Sequence, residues 1–336
     1  MRSVRPTTIS MHILIFIHSP FAMWNIPQEH VARLRCGFPS HTFLEARSGD
    51  EALALIPEAE VAFSAQVARD QLRAAPRLRW IHSPAAGVGG MLYPEMVASP
   101  VVITNSRGMA ADAMAEHVMA VTLALFRQVP LAVRRQAERV WAQDEISALG
   151  HRRLEGAGVL VVGLGAIGRA VARRMAALGA RVTGIRRRAD APPVAGVGVV
   201  HGPGELHDAL SHADVVVIAA PHTRETRGLI GAAELAATKP GAVLVNVSRG
   251  RLVDEAALVA ALESGRLAGA ALDVFAQEPL PAASPLWDMP HVLITPHTSG
   301  FRPDHWDAAT ELFADNLRRF ERGEPLLNVV EKVHGY

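Results

Sequence analysis

The stretch Gly163-Leu164-Gly165-Ala166-Ile167-Gly168 follows an apolar run at 158–162 and precedes a helical pattern at 167–178. Apolar side chains recur on one face of that pattern, and Gly179 follows it as a stop signal. A G-x-G-x-x-G between a strand and a helix is the fingerprint of a dinucleotide-binding fold. A glycine-rich turn that binds no ligand is the alternative.

Each glycine of this motif has its own physical role. Gly163 permits the tight turn, Gly165 lets the backbone approach a pyrophosphate, and Gly168 lets the helix pack closely on the strand. The first N–H groups of the helix, which include those of Ala166 and Ile167, have no partner within the helix and favour phosphate oxygens. We therefore predict that these five residues bind a cofactor.

Short apolar runs alternate with helical patterns on both sides of the motif. In the C-terminal part these runs lie at 158–162, 181–185, 214–219, 242–247, 268–274 and 291–295. Most are apolar on both faces, which is typical of a parallel sheet covered by helices on both sides. Similar runs precede them at 12–18, 61–63 and 78–81. We predict an α/β protein with two Rossmann-like or flavodoxin-like domains, each with a parallel sheet, and a cleft between them.

The longest helical pattern, at 109–126, is nearly apolar all round. Such a pattern predicts a helix that is buried between layers or domains. Pro130 is expected to end it.

The composition argues against several classes of protein. A chain of 336 residues suits about two domains. With 34 Lys and Arg against 33 Asp and Glu, the net charge of +1 offers no field for nucleic acid or an anionic membrane. No apolar run reaches the about 18 residues of a membrane span. No metal-binding set is predicted.

Cysteine usage and the N-terminus bear on location. The single cysteine, Cys36, cannot form an intramolecular disulfide and is interpreted as a buried, inert thiol. Residues 1–10 are interpreted as a disordered leader and not as a signal peptide, because the apolar run after them is short and interrupted. We expect a cytoplasmic protein.

The end of the second strand bears on the choice of cofactor. NAD-binding folds usually place an acid there, about twenty residues after the first glycine, for the ribose 2′-hydroxyl. Here the position is Arg186, followed by Arg187 and Arg188. Guanidinium groups suit a 2′-phosphate through charge-assisted hydrogen bonds. We predict NADP(H) as the preferred cofactor, with NAD(H) possible; a solvated basic turn is the alternative.

Three polar residues follow late strand runs, at the sheet edge where ligands bind in open α/β folds. They are Arg249, Glu278 and His297. Reduction of a 2-oxo acid needs a cation for the carboxylate and carbonyl, a general acid for the developing alkoxide, and a group that orients the acid. Arg, His and Glu meet these needs respectively. Separately, each could be an ordinary surface or turn residue.

These motifs, in this order, resemble the D-isomer-specific 2-hydroxyacid dehydrogenase family, which includes glyoxylate/hydroxypyruvate reductases and phosphoglycerate dehydrogenases. The resemblance runs from about residue 78 to the C-terminus. It rests on Ala115-Glu116-His117, the glycine motif, the stretch from Pro221 through Thr226 to Ile230, and the motifs around Arg249, Glu278 and His297. Several motifs in the family's order are more specific than any one of them.

The resemblance implies roles for individual residues. Arg249 would hold the substrate's carboxylate and carbonyl, His297 would be the acid/base, and Glu278 would hydrogen-bond His297. Asp273 resembles the family's contact to the nicotinamide carboxamide, with the Val247 carbonyl nearby. Pro221 and Thr226 are assigned to the cofactor on the same basis.

A glycine-rich loop in the N-terminal part resembles the family's substrate-carboxylate loop. It is Ala85-Ala86-Gly87-Val88-Gly89-Gly90, and we assign Ala86, Gly87 and Val88 to substrate binding, along with Arg249 and His297. Such a loop can form an anion nest. Many family members have an acid where Gly89 or Gly90 falls, and this chain lacks it. An ordinary glycine-rich turn is the alternative.

The family's organisation implies how the chain is divided. Its C-terminal helix returns to the first domain, so we expect a substrate domain of residues 1–115 plus 300–336 and a dinucleotide-binding domain of residues 116–299. A homodimer is expected, paired partly through the long helix. Trp141 falls near that region, and packing in the core is the preferred interpretation of it.

The favoured function is hydride transfer between NADP(H) and a small 2-oxo or 2-hydroxy acid, as in glyoxylate/hydroxypyruvate reductases. Two alternatives stay open. One is an NAD-dependent phosphoglycerate-type dehydrogenase. The other is a non-catalytic NAD(P)-sensing protein like the corepressors related to this family.

Overall fold

A computed structural model describes residues 10–333 and residue 335. Apart from Ser10, the leader expected over residues 1–10 lies outside these residues. The chain divides into two compact units, one running to Met109 and resuming at Pro303, the other spanning Ala110–Arg302. No helix within the described ranges is long and apolar enough to cross a membrane.

The strands and helices alternate along most of the chain. The strands are β1 (His12–Phe16), β2 (Thr42–Glu45), β3 (Val61–Ser64), β4 (Trp80–Ser83), β5 (Val102–Asn105), β6 (Gly158–Val162), β7 (Arg181–Ile185), β8 (Val199–His201), β9 (Val215–Ile218), β10 (Ala242–Asn246), β11 (Leu267–Leu272) and β12 (Val292–Ile294). The helices are α1 (Gln28–Gly37), α2 (Gly49–Leu55), α3 (Arg69–Arg73), α4 (Pro94–Ala98), α5 (Ala111–Phe126), α6 (Val129–Ala137), α7 (Gln143–Ala148), α8 (Ala166–Ala177), α9 (Leu206–Ser211), α10 (Ala232–Ala237), α11 (Glu255–Glu263) and α12 (His305–Arg322).

The first unit is built on a five-stranded, all-parallel sheet in the order β2-β1-β3-β4-β5. This is the flavodoxin-like order. The C-terminal helix α12 completes the core on one face, because the Phe313 ring stacks on Phe63 and Trp80 with centroid distances of 4.4 and 5.4 Å. Both ends of the chain therefore build this unit.

A histidine is buried in the same aromatic cluster. His82 on β4 lies against Phe63 and Phe313, and its Nδ1 is 2.7 Å from Thr104 Oγ1. Thr104 Oγ1 also accepts the Trp80 Nε1–H, at 2.8 Å. The other ring nitrogen, Nε2, is buried without a partner. Burial lowers the pKa of His82 to about 3.

This histidine is expected to make the stability of the protein depend on pH. In the unfolded chain His82 binds a proton near pH 6.5, whereas in the native state it stays neutral down to about pH 3. Unfolding therefore takes up a proton between these values, and the free energy of unfolding falls by about 1.4 kcal/mol per pH unit as the pH is lowered through this window. Between pH 6.5 and 5 the wild type should lose about 2 kcal/mol more than His82→Gln. Urea unfolding followed by tryptophan fluorescence measures this difference, and the same pH dependence in both proteins would contradict it.

The second unit is built on a seven-stranded, all-parallel sheet in the order β12-β11-β10-β9-β6-β7-β8. The strand order reverses between β6 and β9, which is where an open α/β sheet leaves a crevice at its carboxyl edge. On one face, α5 and α8 pack on the sheet through residues such as Val118, Val121, Val171 and Met175. The predicted fold class, α/β with two parallel sheets, is confirmed.

The structure places several features differently from expectation. The expected domain boundary at 115/116 falls inside α5, which the second unit contains whole. That helix ends at Phe126, Gln128 then takes a φ of 58°, and Pro130 lies in the first turn of α6. Proline is tolerated there because the first N–H groups of a helix have no partner within the helix.

Two predictions of burial are wrong. Cys36 is exposed on α1. Trp141 is 90% exposed in the segment between α6 and α7. Neither α6 nor α7 has a buried residue, so this segment lies outside the core. A sequence pattern that marks apolar residues does not distinguish a core from a surface that another molecule covers.

Candidate active site

The glycine motif follows β6 and opens α8, and two of its glycines are required by close approach. Gly163 has a φ of 101°, and a Cβ there would lie 2.5 Å from the Ala220 backbone nitrogen. A Cβ on Gly168 would lie 1.9 Å from the Gly163 carbonyl oxygen. Any larger residue at either position would displace backbone, since neither contact is with a flexible side chain.

Gly165 is open where the other two are crowded. Nothing lies within 4 Å of the place where its Cβ would be. As N-cap of α8 it has no side chain to cap the helix, and the first turn, which contains Ala166 and Ile167, has no acidic residue. The helix N-terminus therefore offers free N–H groups to open space, so these residues fit the pyrophosphate of a dinucleotide.

In the arginine cluster after β7, Arg186 is bound to its own loop. The Arg186 guanidinium donates to the carbonyl oxygens of Ala189 and Pro192, at 3.2 and 3.0 Å, and to that of Ala191. Arg186 thereby closes its own loop, while its Nε–H is buried without a partner. Arg187 and Arg188 have exposed side chains on this loop.

The loop after β9 is held together by its own hydroxyl groups. Thr226 Oγ1 donates to the Pro221 carbonyl oxygen at 2.6 Å and accepts the Thr223 N–H at 2.8 Å. The Thr226 side chain therefore fixes the shape of this loop. Val247, after β10, is buried, and its N–H donates to the Ile218 carbonyl oxygen at 3.4 Å.

Asn246 turns the chain after β10 and presents Arg249. Its Nδ2 donates to the Arg249 carbonyl oxygen at 3.1 Å, and its Oδ1 accepts the Ser248 N–H at 3.1 Å. Arg249 keeps access to solvent, but the surrounding protein partly desolvates its guanidinium and lowers its pKa, while the Glu278 carboxylate opposes the shift. An arginine remains charged under such a shift.

Gly250 brings the Arg249 segment against the Glu278 segment. A Cβ on Gly250 would lie 1.8 Å from the Phe275 carbonyl carbon and 2.2 Å from its oxygen. From there the chain reaches Glu278, whose Oε1 accepts the Phe275 N–H at 3.0 Å. The local backbone therefore orients the Glu278 carboxylate.

The other carboxylate oxygen of Glu278 contacts the predicted acid/base. Glu278 Oε2 lies 2.8 Å from Nδ1 of His297, and both side chains are partly exposed. Because Nδ1 is engaged, Nε2 is the ring nitrogen left for a substrate. The structure thus brings His297 and Glu278 together, with Arg249 close enough for the Glu278 charge to act on it.

Asp273 lies beneath His297 and is 1% exposed. Its carboxylate accepts the Thr295 hydroxyl at 2.6 Å and the Thr298 N–H at 2.8 Å, and its carbonyl oxygen accepts the His297 N–H at 2.9 Å. Asp273 is therefore engaged with the segment that carries His297, a role that the family resemblance did not indicate.

The predicted substrate loop belongs to the first unit. Two side chains after β4 and β5 hold it: Asn105 Nδ2 donates to the Ala86 carbonyl oxygen at 2.6 Å, and Ser106 Oγ donates to that of Ser83 at 3.0 Å. Within the described chain, the N–H groups of Ala86, Gly87 and Val88 have no hydrogen-bond partner. Val88 anchors the loop with a buried side chain. Gly87, Gly89 and Gly90 all lack a positive φ, so the loop does not use the left-handed conformation of a nest.

Several residues of this site escaped the sequence reasoning. Asn246, Gly250 and Thr295 shape the segments that carry Arg249, Glu278 and His297. Each stands within four residues of a predicted catalytic residue, so proximity in sequence was the available signal. Their roles depend on contacts between distant segments, which no local pattern encodes.

A doubly wound parallel sheet with this glycine turn is the architecture of a dinucleotide-binding domain. A family model for the NAD-binding domain of D-isomer specific 2-hydroxyacid dehydrogenases matches residues 119–299. The chain therefore belongs to the D-isomer specific 2-hydroxyacid dehydrogenase family, which confirms the resemblance seen in the sequence.

Curated relatives include two kinds of enzyme. A D-3-phosphoglycerate dehydrogenase of Mycobacterium tuberculosis is 36% identical over 278 residues, which cover 82% of this chain and 52% of the relative. The chain thus spans about half the length of the phosphoglycerate dehydrogenases that it matches. A glyoxylate reductase of Korarchaeum cryptofilum is 36% identical over 263 residues, which cover 77% of this chain and 78% of the relative.

Two solved structures are similar over nearly the whole chain. A D-isomer specific 2-hydroxyacid dehydrogenase from Xanthobacter autotrophicus, in complex with NADPH and MES, has a TM-score of 0.84 at 33% identity, and the match covers 98% of this chain and 100% of that one. An NADPH-dependent glyoxylate/hydroxypyruvate reductase from Sinorhizobium meliloti, in complex with NADP and sulfate, has a TM-score of 0.81 at 28% identity, with 97% and 100% covered.

Proposed function

We propose that this protein transfers a hydride between a nicotinamide dinucleotide, preferentially NADP(H), and a small 2-oxo or 2-hydroxy acid. The observation that carries the proposal is the 2.8 Å contact between His297 Nδ1 and Glu278 Oε2, with Arg249 beside it at the same sheet edge. Glyoxylate reductases among the relatives support the substrate class.

The proposed chemistry follows from the groups that the chain supplies. Arg249 binds the substrate carboxylate and polarises its carbonyl. His297 donates a proton from Nε2 to the carbonyl oxygen during reduction and takes it back during oxidation. Glu278 orients the imidazole through its contact with Nδ1. The nicotinamide, when bound, supplies or accepts the hydride, and Gly163, Gly165 and Gly168 would hold the dinucleotide with the first turn of α8.

The two units have separate tasks in this proposal. Residues 110–302 bind the dinucleotide and carry the acid/base pair. In the first unit, the N–H groups of Ala86, Gly87 and Val88, which have no hydrogen-bond partner among the described residues, are proposed as substrate-binding groups. We further propose a homodimer, because α6 and the segments on either side of α7 expose apolar side chains that a second copy would cover. These are Val129, Val133, Val140, Trp141 and Leu149.

The direct test is a turnover assay on the full chain. Oxidation of NADPH and of NADH is followed with glyoxylate, hydroxypyruvate, pyruvate and longer 2-oxo acids. Turnover of a small 2-oxo acid supports the proposal. An absence of turnover with every acid and both cofactors would reject it in favour of a cofactor-sensing binding protein. A preference for NADH of at least about tenfold would reverse the choice of cofactor.

The preference for NADP(H) is expected to depend on Arg187 and Arg188, because both are exposed cations on the loop that follows β7. Replacing both with serine should lower kcat/KM for NADPH by about tenfold or more, since a charge-assisted hydrogen bond contributes about 1.5–3 kcal/mol. The value for NADH should stay within about twofold. Neighbours in complex with NADPH and with NADP support the choice of NADP(H) itself.

A matched control is available on the same strand. Arg181 is exposed at the opposite end of β7, and Arg181→Ser should leave both values unchanged. If the double replacement lowered kcat/KM equally for both cofactors, the two arginines would not discriminate between them.

A further inference from the structure

A series of hydrogen-bonded side chains connects α5 to the segment that carries His297. His117 Nε2, on α5, lies 3.3 Å from Thr295 Oγ1. Thr295 Oγ1 in turn donates to Asp273 Oδ1 at 2.6 Å. His117 is half-buried on a helix whose buried residues are apolar except for Thr122, and nothing in the proposed chemistry uses it directly.

The number of available protons decides which group donates and which accepts in these hydrogen bonds. The Asp273 carboxylate also receives the N–H groups of Thr298 and Ser299, so it acts as the acceptor for Thr295 as well. The Thr295 hydroxyl has one proton, and the carboxylate takes it. The Thr295 oxygen must then accept the proton on His117 Nε2. Burial lowers the pKa of His117, although the Asp273 charge opposes the shift, so a neutral ring protonated on Nε2 is the form that fits.

Asp273, the last residue in this series of hydrogen bonds, fixes the backbone of His297. Asp273 holds residues 295–299 through one hydroxyl and three backbone N–H groups. His297 itself has a φ of 54°, a left-handed conformation that is uncommon for residues other than glycine. Such a conformation persists only where the surroundings enforce it. The contacts to Asp273 are the enforcement that the structure shows.

We propose that His117 is a positioning residue for the acid/base: through Thr295 and Asp273 it holds the 295–299 segment so that Nδ1 of His297 meets Glu278. The proposal rests on the proposed function, in which His297 exchanges the proton. His117 touches neither that imidazole nor its carboxylate partner. Its Nε2–H donates to the Thr295 oxygen, so the Thr295 hydroxyl stays directed at the Asp273 carboxylate.

The test removes the donor and then restores one. His117→Phe keeps a ring but loses the N–H, and His117→Gln places an amide N–H near the position of Nε2. We expect His117→Phe to lower kcat about tenfold while KM for the cofactor changes less than twofold, and His117→Gln to recover most of the loss. In NMR spectra without cofactor, the downfield Nδ1–H signal of His297 should broaden or disappear in His117→Phe and return in His117→Gln.

A second pair of variants tests the proposal independently, so that it can still be judged if the first pair misfolds. Thr295→Val keeps the shape but loses the hydroxyl, and Thr295→Ser keeps the hydroxyl. The valine variant should reproduce the loss, the serine variant should not, and the combination of His117→Phe with Thr295→Val should be no worse than either alone because both break the same series of hydrogen bonds. The control is Thr122→Val on the same helix, since the Thr122 hydroxyl is buried without a partner. We expect wild-type activity and an unchanged signal for it.

The outcomes separate this proposal from the one on which it rests. A wild-type kcat and an intact His297 signal in both His117→Phe and Thr295→Val would overturn the positioning role alone. Full activity in a variant that lacks His297 would instead overturn the proposed function. Equal loss in Thr295→Val and Thr295→Ser would also overturn the positioning role, because it would show that packing, not the hydroxyl, matters there.

Discussion

Replacing His297 with alanine is expected to lower kcat for reduction of a 2-oxo acid by about 1000-fold, because the reaction then lacks its general acid. The remaining activity would come from substrate and cofactor held together without proton transfer from the protein. Steady-state kinetics with the best acid of the turnover assay measures the loss. Binding of the reduced cofactor, followed by its fluorescence, should stay within about threefold of wild type.

Controls make this result specific to the site. His151 is exposed in the same unit, and His151→Ala should have wild-type kinetics. Glu278→Gln keeps a hydrogen-bonding side chain beside His297 but removes its charge, so the dependence of kcat/KM on pH should change. An unchanged pH profile would reject the role of Glu278. A His297→Ala variant with more than about a tenth of wild-type kcat would reject the acid/base assignment.

The second large effect is expected from a single methyl group. Gly250→Ala would place a Cβ 1.8 Å from the Phe275 carbonyl carbon, a contact with backbone that no side-chain rotation relieves. The segments of Arg249 and Glu278 must then separate. We expect the free energy of unfolding to fall by about 3 kcal/mol and kcat/KM to fall by at least about 100-fold, because displacement of the reacting groups by about 1 Å has effects of that size.

Thermal unfolding and kinetics on the same preparation measure both effects. Gly204→Ala is the matched control, since nothing lies within 4 Å of its Cβ position and it is exposed in the same unit. It should change neither quantity. If Gly250→Ala had wild-type stability and activity, the close contact between the two segments would not be needed for the site.

The parallel sheets were predictable because their strands are buried on both faces and appear as continuous apolar runs. The run at 158–162 became β6 without change of bounds. β8 was missed because Val199–His201 is a short edge strand that is partly exposed. The break after α5 was missed because it depends on the left-handed conformation of Gln128. The residue type does not predict that conformation.

The site was predictable where chemistry restricts the residue type, and less so where packing decides. Arg249, Glu278 and His297 followed from the needs of carbonyl reduction and the end of each strand. Trp141 was wrongly placed in the core, because an apolar residue on a surface and one in a core look alike along the chain. The hydrogen bonds of Asp273 to Thr295 and Thr298 could not be predicted, because they form between segments that meet only in the folded protein.

The division of the first unit between both ends of the chain has a consequence during synthesis. Residues 110–302 are contiguous, so this unit can complete its core on the ribosome as soon as its own strands have emerged. The first sheet must wait much longer, because Phe313 covers Phe63 and Trp80 only after α12 has been translated. We expect nascent chains that end before α12 to present that aromatic surface to chaperones, although the strands beneath it were the first to be made.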